Sequence, residues 1–328
     1  MRAIGYGAFG AARDVLGLHD LQLPAPAAGE VRVKLSYSGV NPSDAKARSG
    51  TRPGVTKPPF DLVVPHSDGS GVIDAVGAGV DRTRIGEKVW IWNGQWQRAF
   101  GTAADAISLP AEQAVRLPDA VSLEAGATLG IPGLTAAHTV FGGGDIAGHT
   151  LLISGGAGAV GHNAVQLAKW GGATVIATAS PSAFDRVKAA GADHVLDYRA
   201  DDLAAQIMAI TDGNGVDRAV EVEFGANAAL LAEVVRANGV IAAYGSQIDM
   251  TPTLPFGPFL FKAITIDIVL IYILEAAPRA AAIDKLHQAL SEGALVPAIH
   301  QILPLAEAAD AHERVMRGGR NGAVLLKI

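Results

Sequence analysis

Cysteine is absent from the 328 residues. Its absence excludes disulfides, thiolate nucleophiles, iron–sulfur clusters and four-thiolate structural zinc, so redox chemistry here must be borrowed from a cofactor. A basic stripe is missing as well. The 26 Lys and Arg stand against 32 Asp and Glu, a net charge of −6, which argues against a nucleic-acid partner. Long apolar runs are also lacking. The most apolar stretch, Ile264 to Leu274, is broken by Asp267 and falls well short of the roughly 20 residues of a membrane span. The opening MRAIGYGAFG has no apolar signal core. Neither internal repeats nor low-complexity segments occur. These absences lead to the expectation of a soluble, cytoplasmic protein with a small-molecule partner, no nucleic acid and no membrane.

What is present is an apolar content of 49%, enough to bury two cores in a chain of this length. The first part is rich in Gly, Pro and short β-branched runs: EVRVKLSYSGV (Glu30 to Val40), GSGVIDAVGAGV (Gly69 to Val80) and GEKVWIW (Gly86 to Trp92). Alternation bounded by Gly and Pro predicts short antiparallel strands of a barrel-like domain. Beyond Ser122 strand-like runs alternate with helical periods: Thr150 to Ser154, Ala173 to Ala179, His194 to Tyr198, Arg218 to Phe224 and Gly239 to Gly245. That order predicts a parallel, doubly wound α/β sheet. From about Leu270 a helix (Arg279 to Ser291) and a last strand (Gly322 to Ile328) are expected to return to the first domain. The expected division is 1–122 with 270–328, and 123–269.

The stretch LLISGGAGAVGHNAVQLAK, Leu151 to Lys169, carries the clearest chemistry. Gly156, Gly158 and Gly161 form G-x-G-x-x-G after a strand and at the opening of a helix. The first glycine is expected to allow the tight turn, the second to let backbone N–H groups reach a pyrophosphate, and the third to admit close packing of helix on strand. Ala159 and Val160 begin that helix, whose positive end would face the phosphates. After the next strand, NAD enzymes carry an acid for the ribose 2′-hydroxyl. Here the chain reads TASPS, Thr178 to Ser182, with Arg186 and Lys188 following. The missing acid, Ser180 and Arg186 favour the 2′-phosphate of NADPH, although Ser180 also reads as a helix cap and Arg186 as a solvated charge.

Together with that turn, SGVNPSDAKARSG (Ser38 to Gly50), VVPHSDGSGVIDAVGAGV (Val63 to Val80), LGIPGLTAAHTV (Leu129 to Val140), GADHVLDYR (Gly191 to Arg199) and AHERV (Ala311 to Val315) resemble the zeta-crystallin-like quinone oxidoreductases, a zinc-independent branch of the medium-chain dehydrogenase/reductase superfamily. The resemblance runs over essentially the whole chain. It implies a GroES-like β-barrel catalytic domain built from both chain ends, a Rossmann domain binding NADPH, and a homodimer. It further implies that Asn41 and Asp44 line the nicotinamide and substrate cleft, and that Thr135 lies near the nicotinamide. Tyr198 would approach the 2′-phosphate, with Gly245 and Ser246 near the nicotinamide ribose. The zinc enzymes of the superfamily hold their metal with a loop cysteine and a Gly-His-Glu motif. Here Asn41 and Asp44 occupy the loop, and the second motif reads Pro65-His66-Ser67-Asp68, with His66 one place early and Ser67 in the ligand's slot; no metal is expected. Two departures stand out. The family's loop tyrosine is replaced by Lys46 and Arg52, and its phosphate-binding lysine has no counterpart, so Arg186 is the substitute.

The expected activity is NADPH-dependent reduction of quinones by hydride transfer without a metal. Reduction of an enone or enoyl double bond is the alternative enzymatic reading. A non-catalytic, crystallin-like NADPH-binding protein is the third.

Overall fold

The computed structural model describes residues 1–23, 25–51 and 54–328. The chain divides into two compact units, Met1–Pro132 with Pro297–Ile328, and Gly133–Val296.

In the first unit, β1 (Arg2–Gly5) pairs with β2 (Gly17–Asp20). The alternation in EVRVKLSYSGV becomes β3 (Glu30–Val40), which buries Val31, Val33 and Leu35. Pro42 then starts helix α1 (Pro42–Ser49), and Gly50 in a left-handed conformation (φ 75°) ends it. β4 (Asp68–Val76) pairs antiparallel with β3 and with β5 (Lys88–Ile91). β6 (Ala106–Pro110) lies on the first half of β3, and β7 (Ala114–Arg116) on β5. β4 stops at Val76 rather than running to Val80, because at Gly77 the backbone passes so close to Ala27 O that a Cβ would sit 1.7 Å from it.

The second unit alternates helix and strand: α2 (Leu134–Phe141), β8 (Thr150–Ile153), α3 (Ala159–Trp170), β9 (Thr174–Ala179), α4 (Phe184–Ala189), β10 (His194–Asp197), a connecting helix Leu203–Ile210, β11 (Val216–Glu221), α5 (Phe224–Val234), β12 (Val235–Ala243), α6 (Phe256–Phe261), β13 (Thr265–Ile268) and α7 (Ala276–Ser291). The strands are parallel, in the order β10-β9-β8-β11-β12-β13. Strand order reverses between β8 and β11, the point at which open sheets of this kind take their ligands. β8 and β9 are buried nearly throughout, as expected for a sheet covered on both faces.

The chain then returns to the first unit as β14 (Ile299–Pro304), α8 (Ala308–Met316) and β15 (Ala323–Lys327). β15 pairs parallel with β14 and antiparallel with the second half of β3. This return starts at Pro297, later than the expected 270. The reason is α7, which opens at Ala276 and packs inside the second unit: Lys285 Nζ lies 5.0 Å from the Phe141 ring centre and 5.5 Å from that of Trp170. Trp170 Nε1 also donates to Glu292 (2.7 Å). A second difference concerns β11, which ends at Glu221, so that Phe224 opens a helix. Among the described residues no helix is long and apolar enough to cross a membrane.

Candidate active site

The glycine turn stands at the end of β8, beside the reversal of strand order. Its root is held by a carboxylate that the sequence reading placed only within a strand: Glu221, fully buried at the end of β11, accepts from Ser154 Oγ (2.5 Å), from the Glu223 N–H (2.5 Å) and from Asn227 Nδ2 (3.0 Å). Burial raises its pKa. Thr178 at the end of β9 braces the other side, with its Oγ1 accepting from the Gly155 N–H (3.2 Å) and its carbonyl from the Gly156 N–H (2.9 Å). An acid inside the otherwise apolar AVEV run was the available signal for Glu221.

The three expected glycine roles are redistributed. Gly155, not Gly156, adopts the left-handed conformation (φ 68°) and makes the tight turn. Gly156 is needed instead for packing, since a Cβ there would lie 3.0 Å from Val187 Cγ1 and 3.1 Å from Ala177 Cβ. Gly161 admits close approach of helix to turn; an added Cβ would sit 2.2 Å from Gly155 O. Gly158, the N-cap of α3, differs from both. Only Gly155 O, at 3.4 Å, lies within reach of a Cβ, so its missing side chain leaves open space before the helix. Helix bonding starts with the His162 N–H on Gly158 O (2.8 Å). The N–H groups of Ala159, Val160 and Gly161 therefore have no intrahelical acceptor, and the helix dipole adds positive potential there.

Arg186 of α4 reaches this turn: its Nη1 donates to Ala157 O (2.8 Å), and its Nη2 is buried without a partner. Burial and the Arg186 charge push the pKa of neighbouring His162 down to about 4, leaving Arg186 as the cation of the pair at neutral pH. Ser180 follows β9 with its hydroxyl 3.2 Å from that of Ser182. Tyr198, just past β10, is 55% exposed under the Arg199 guanidinium, which also pairs with Asp197 (3.1 Å). After β12, Gly245 O accepts from the Phe224 N–H (3.0 Å). Ser246 Oγ accepts from the Gly225 N–H (2.9 Å) and donates to Asp249 O. Glu223 receives the N–H groups of Gln247 (2.7 Å) and Ile248 (2.8 Å), so the whole loop is stitched to the start of α5. Thr135 is buried in the first turn of α2.

In the first unit, Asn41 and Asp44 come together at the start of α1: Asp44 Oδ2 accepts from the Asn41 N–H (2.8 Å). A further residue joins them. Asp68, buried, accepts from Asn41 Nδ2 (2.8 Å) on one oxygen and from the Ile131 N–H (2.8 Å) on the other. Burial, and then the nearby Asp44 charge, hold its pKa well above the usual carboxylate range. The Asn41 side chain is thus aimed by a group the sequence reading met only as the neighbour of His66. Lys46 is half-buried on α1, and Arg52 lies outside the described residues.

Beside Asp68 runs a buried chain of side-chain hydrogen bonds whose directions follow from counting protons. Thr102 Oγ1 donates to Asp68 O (2.5 Å), so it can only accept from Ser38 Oγ (2.8 Å). Ser38, having donated, accepts from His66 Nδ1–H (2.9 Å). The remaining His66 nitrogen, Nε2, then accepts from His312 Nε2–H (2.9 Å), leaving His312 Nδ1 as a buried acceptor with no partner. Burial keeps both rings neutral, pushing His312 to about 3 with help from the Arg48 charge and His66 well below its ordinary value. Both nitrogens of His66 are consumed, so the imidazole has none left for a metal. Among the described residues no three His, Cys, Asp or Glu side chains converge as a metal site.

The profile of the alcohol dehydrogenase GroES-like domain matches residues 27–119, and that of the zinc-binding dehydrogenase family matches residues 159–287. The chain is 29% identical over 339 residues to the chloroplastic quinone-oxidoreductase homolog of Spinacia oleracea, covering 100% of this chain and 98% of that one. It is 32% identical over 226 residues to the human synaptic vesicle membrane protein VAT-1 homolog, a match to 68% of this chain but only 55% of that longer protein. Among solved structures, an NAD-dependent alcohol dehydrogenase superposes over the full length of both chains with a TM-score of 0.88 at 30% identity. The Escherichia coli quinone oxidoreductase complexed with NADPH superposes with a TM-score of 0.86 at 25% identity, again over the full length of both. The chain belongs to the medium-chain dehydrogenase/reductase superfamily and is quinone-oxidoreductase-like within it. The zinc implied by the name of one matching family does not fit the side chains around Asn41, Ser67 and Asp68.

Proposed function

We propose that the protein reduces quinones with NADPH, without a metal, the first unit being the catalytic domain and the second the NADP-binding domain. The observation that carries the cofactor is Arg186, held on the glycine turn with a buried, unpartnered Nη2, where Ser180 rather than an acid stands at the end of β9. An orphaned guanidinium nitrogen fits a phosphate oxygen, and the open space at Gly158 fits a pyrophosphate lying on the first turn of α3. Ser180 and Tyr198 would flank the 2′-phosphate, with Thr135, Gly245 and Ser246 toward the nicotinamide. NADPH held there would supply a hydride, which with one proton from solvent would convert a quinone to the hydroquinone. Asn41 and Asp44 would position the acceptor, Asn41 kept rigid by Asp68. The full-length similarity to quinone oxidoreductases supports this choice of substrate.

Oxidation of NADPH should accelerate with 1,4-benzoquinone or 9,10-phenanthrenequinone and not with an enone panel. Turnover of enones alone would replace the reading, and tight NADPH binding without turnover would leave only a binding protein. We also read the protein as a homodimer through β13. This strand is one of the two outer strands of its sheet, and Phe256, Leu260, Phe261, Ile268, Leu270 and Ile273 are exposed on or near it. Sedimentation at 33.6 kDa in tens-of-micromolar solution would rule the dimer out.

A further inference from the structure

The glycine turn carries a second unmet group beside Arg186. His162 is the first polar side chain of α3, after Ala159, Val160 and Gly161, and its Nδ1 is buried without a partner. Arg186 reaches the same turn from α4, donating from Nη1 to Ala157 O (2.8 Å) and leaving Nη2 buried and unpartnered. An orphaned acceptor and an orphaned donor thus stand on one corner. Burial works against charge on both: it lowers the pKa of Arg186, for which no carboxylate partner occurs among the described residues, and it holds the His162 ring neutral, with a pKa of about 4. A buried guanidinium without a counter-ion is costly, and an anion relieves that cost.

Counting protons narrows what this corner does with an anion. A neutral imidazole has one N–H and one bare nitrogen, and because Arg186 can only donate, the bare nitrogen is Nδ1. The oxygens of a phosphate dianion can only accept. They satisfy Arg186 Nη2 directly, but a bare Nδ1 repels them. Both nitrogens can hold one phosphate only after His162 gains a proton, and a dianion beside the ring draws that proton in from solvent. The charge that acts on the ring is that of Arg186. On the other packed elements, Asp185 and Lys188 of α4 are exposed to solvent, and Lys169, about two turns along α3, is bound to Asp193 (2.6 Å). The segment after α7 contributes the uncharged Val296 carbonyl, which accepts from Gln166 Nε2 (3.2 Å), the amide that also donates to His162 O (3.2 Å).

We infer that His162 and Arg186 together hold the 2′-phosphate, and that His162 takes up a proton from solvent as NADPH binds, an inference that rests on the NADPH reading above. Binding of NADPH then tightens as pH falls, by about threefold or more from pH 8.5 to pH 6.5, whereas that of NADH, which lacks the 2′-phosphate, does not. Titration calorimetry at pH 7 in PIPES and in imidazole, buffers whose ionisation enthalpies differ, counts the protons. About half a proton or more should enter with NADPH, and close to none with NADH. The 2′-phosphate, with a second pKa of about 6, can only release a proton on meeting two cations, so uptake cannot come from the nucleotide. His162→Asn keeps a donor that does not titrate; in it the uptake should vanish and the pH dependence of NADPH affinity flatten. Should that variant fold poorly, the contrast between the two nucleotides on the wild type decides by itself. NADPH binding without proton uptake would overturn the inference and leave the cofactor reading intact. Equal uptake with NADH would move the pair to the pyrophosphate, and unchanged uptake in His162→Asn would assign the proton to another group; either result overturns it as well. If NADPH does not bind at all, the inference falls together with the reading.

Discussion

At the glycine turn the working groups are backbone N–H groups left without acceptors, with one buried guanidinium nitrogen beside them also unpartnered. Around Asp68 the working groups are side chains, and they satisfy one another: Asn41 on Asp68, Thr102 on the Asp68 carbonyl, Ser38 on Thr102, His66 on Ser38, His312 on His66. The first arrangement is incomplete until an anion arrives, and so it binds. The second is nearly complete in itself. A satisfied buried network of this kind rigidifies its surroundings and fixes the orientation of the one amide, Asn41, that it presents. Only His312 Nδ1 is left over, at the far end of the chain.

The comparison is broken most severely at Gly158. Its φ of −73° is open to any residue and its surroundings are empty, so Gly158→Val should leave the melting temperature within a few degrees of wild type. The valine would occupy the pyrophosphate's place, and NADPH affinity measured by titration calorimetry should fall by about 100-fold or more, near 2.8 kcal/mol. Retained affinity would mean that the turn is not the socket.

Acid should distinguish the second region. Both rings of the His66–His312 pair have pKa values depressed in the fold, so below about pH 6.5, the ordinary value, the unfolded chain binds protons that the folded one refuses. Stability contributed by the pair is therefore present above that pH and lost as pH falls toward 3. Each refused proton steepens the fall by about 1.4 kcal/mol per pH unit. Urea unfolding between pH 7 and pH 4.5 should show this, and in His312→Phe the slope should be shallower by about one proton. An identical slope in the variant would show that His312 is not held neutral.

A smaller effect is expected at Arg186. Arg186→Gln removes the cation while keeping a donor for Ala157 O. NADPH affinity should fall about tenfold, with NADH affinity changed by less than about twofold. Parallel losses for the two nucleotides would place Arg186 on the pyrophosphate instead, and no loss would make it a structural link between α4 and the turn.

Much of this was legible. The strand Glu30–Val40 follows directly from its alternation, and the parallel sheet from strands spaced by helices. The site of the glycine turn, and the open space at Gly158, follow from a glycine pattern between strand and helix. The turn's details were not legible. Gly155 and Gly156 are adjacent and chemically identical, and the way Thr178 grips this corner separates the one that turns from the one that packs. The last strand was expected to return to the first unit and it does, on β3, but the return begins at Pro297 rather than Leu270, because helical periodicity in α7 reveals an apolar face without saying which core will cover it.

By itself, then, the sequence determined the local conformational choices: where strands alternate, where glycine frees the backbone, where proline starts a helix. It also determined the chemistry available, a chain without thiols and with Ser180 rather than an acid at the end of β9. Tertiary structure alone decided the pairings, such as His66 with His312 across 246 positions, Glu221 with Ser154, and Asp68 with Asn41. Periodicity and backbone preference act over a few residues, whereas the partner of a buried polar group depends on which distant segments packing brings within hydrogen-bond reach.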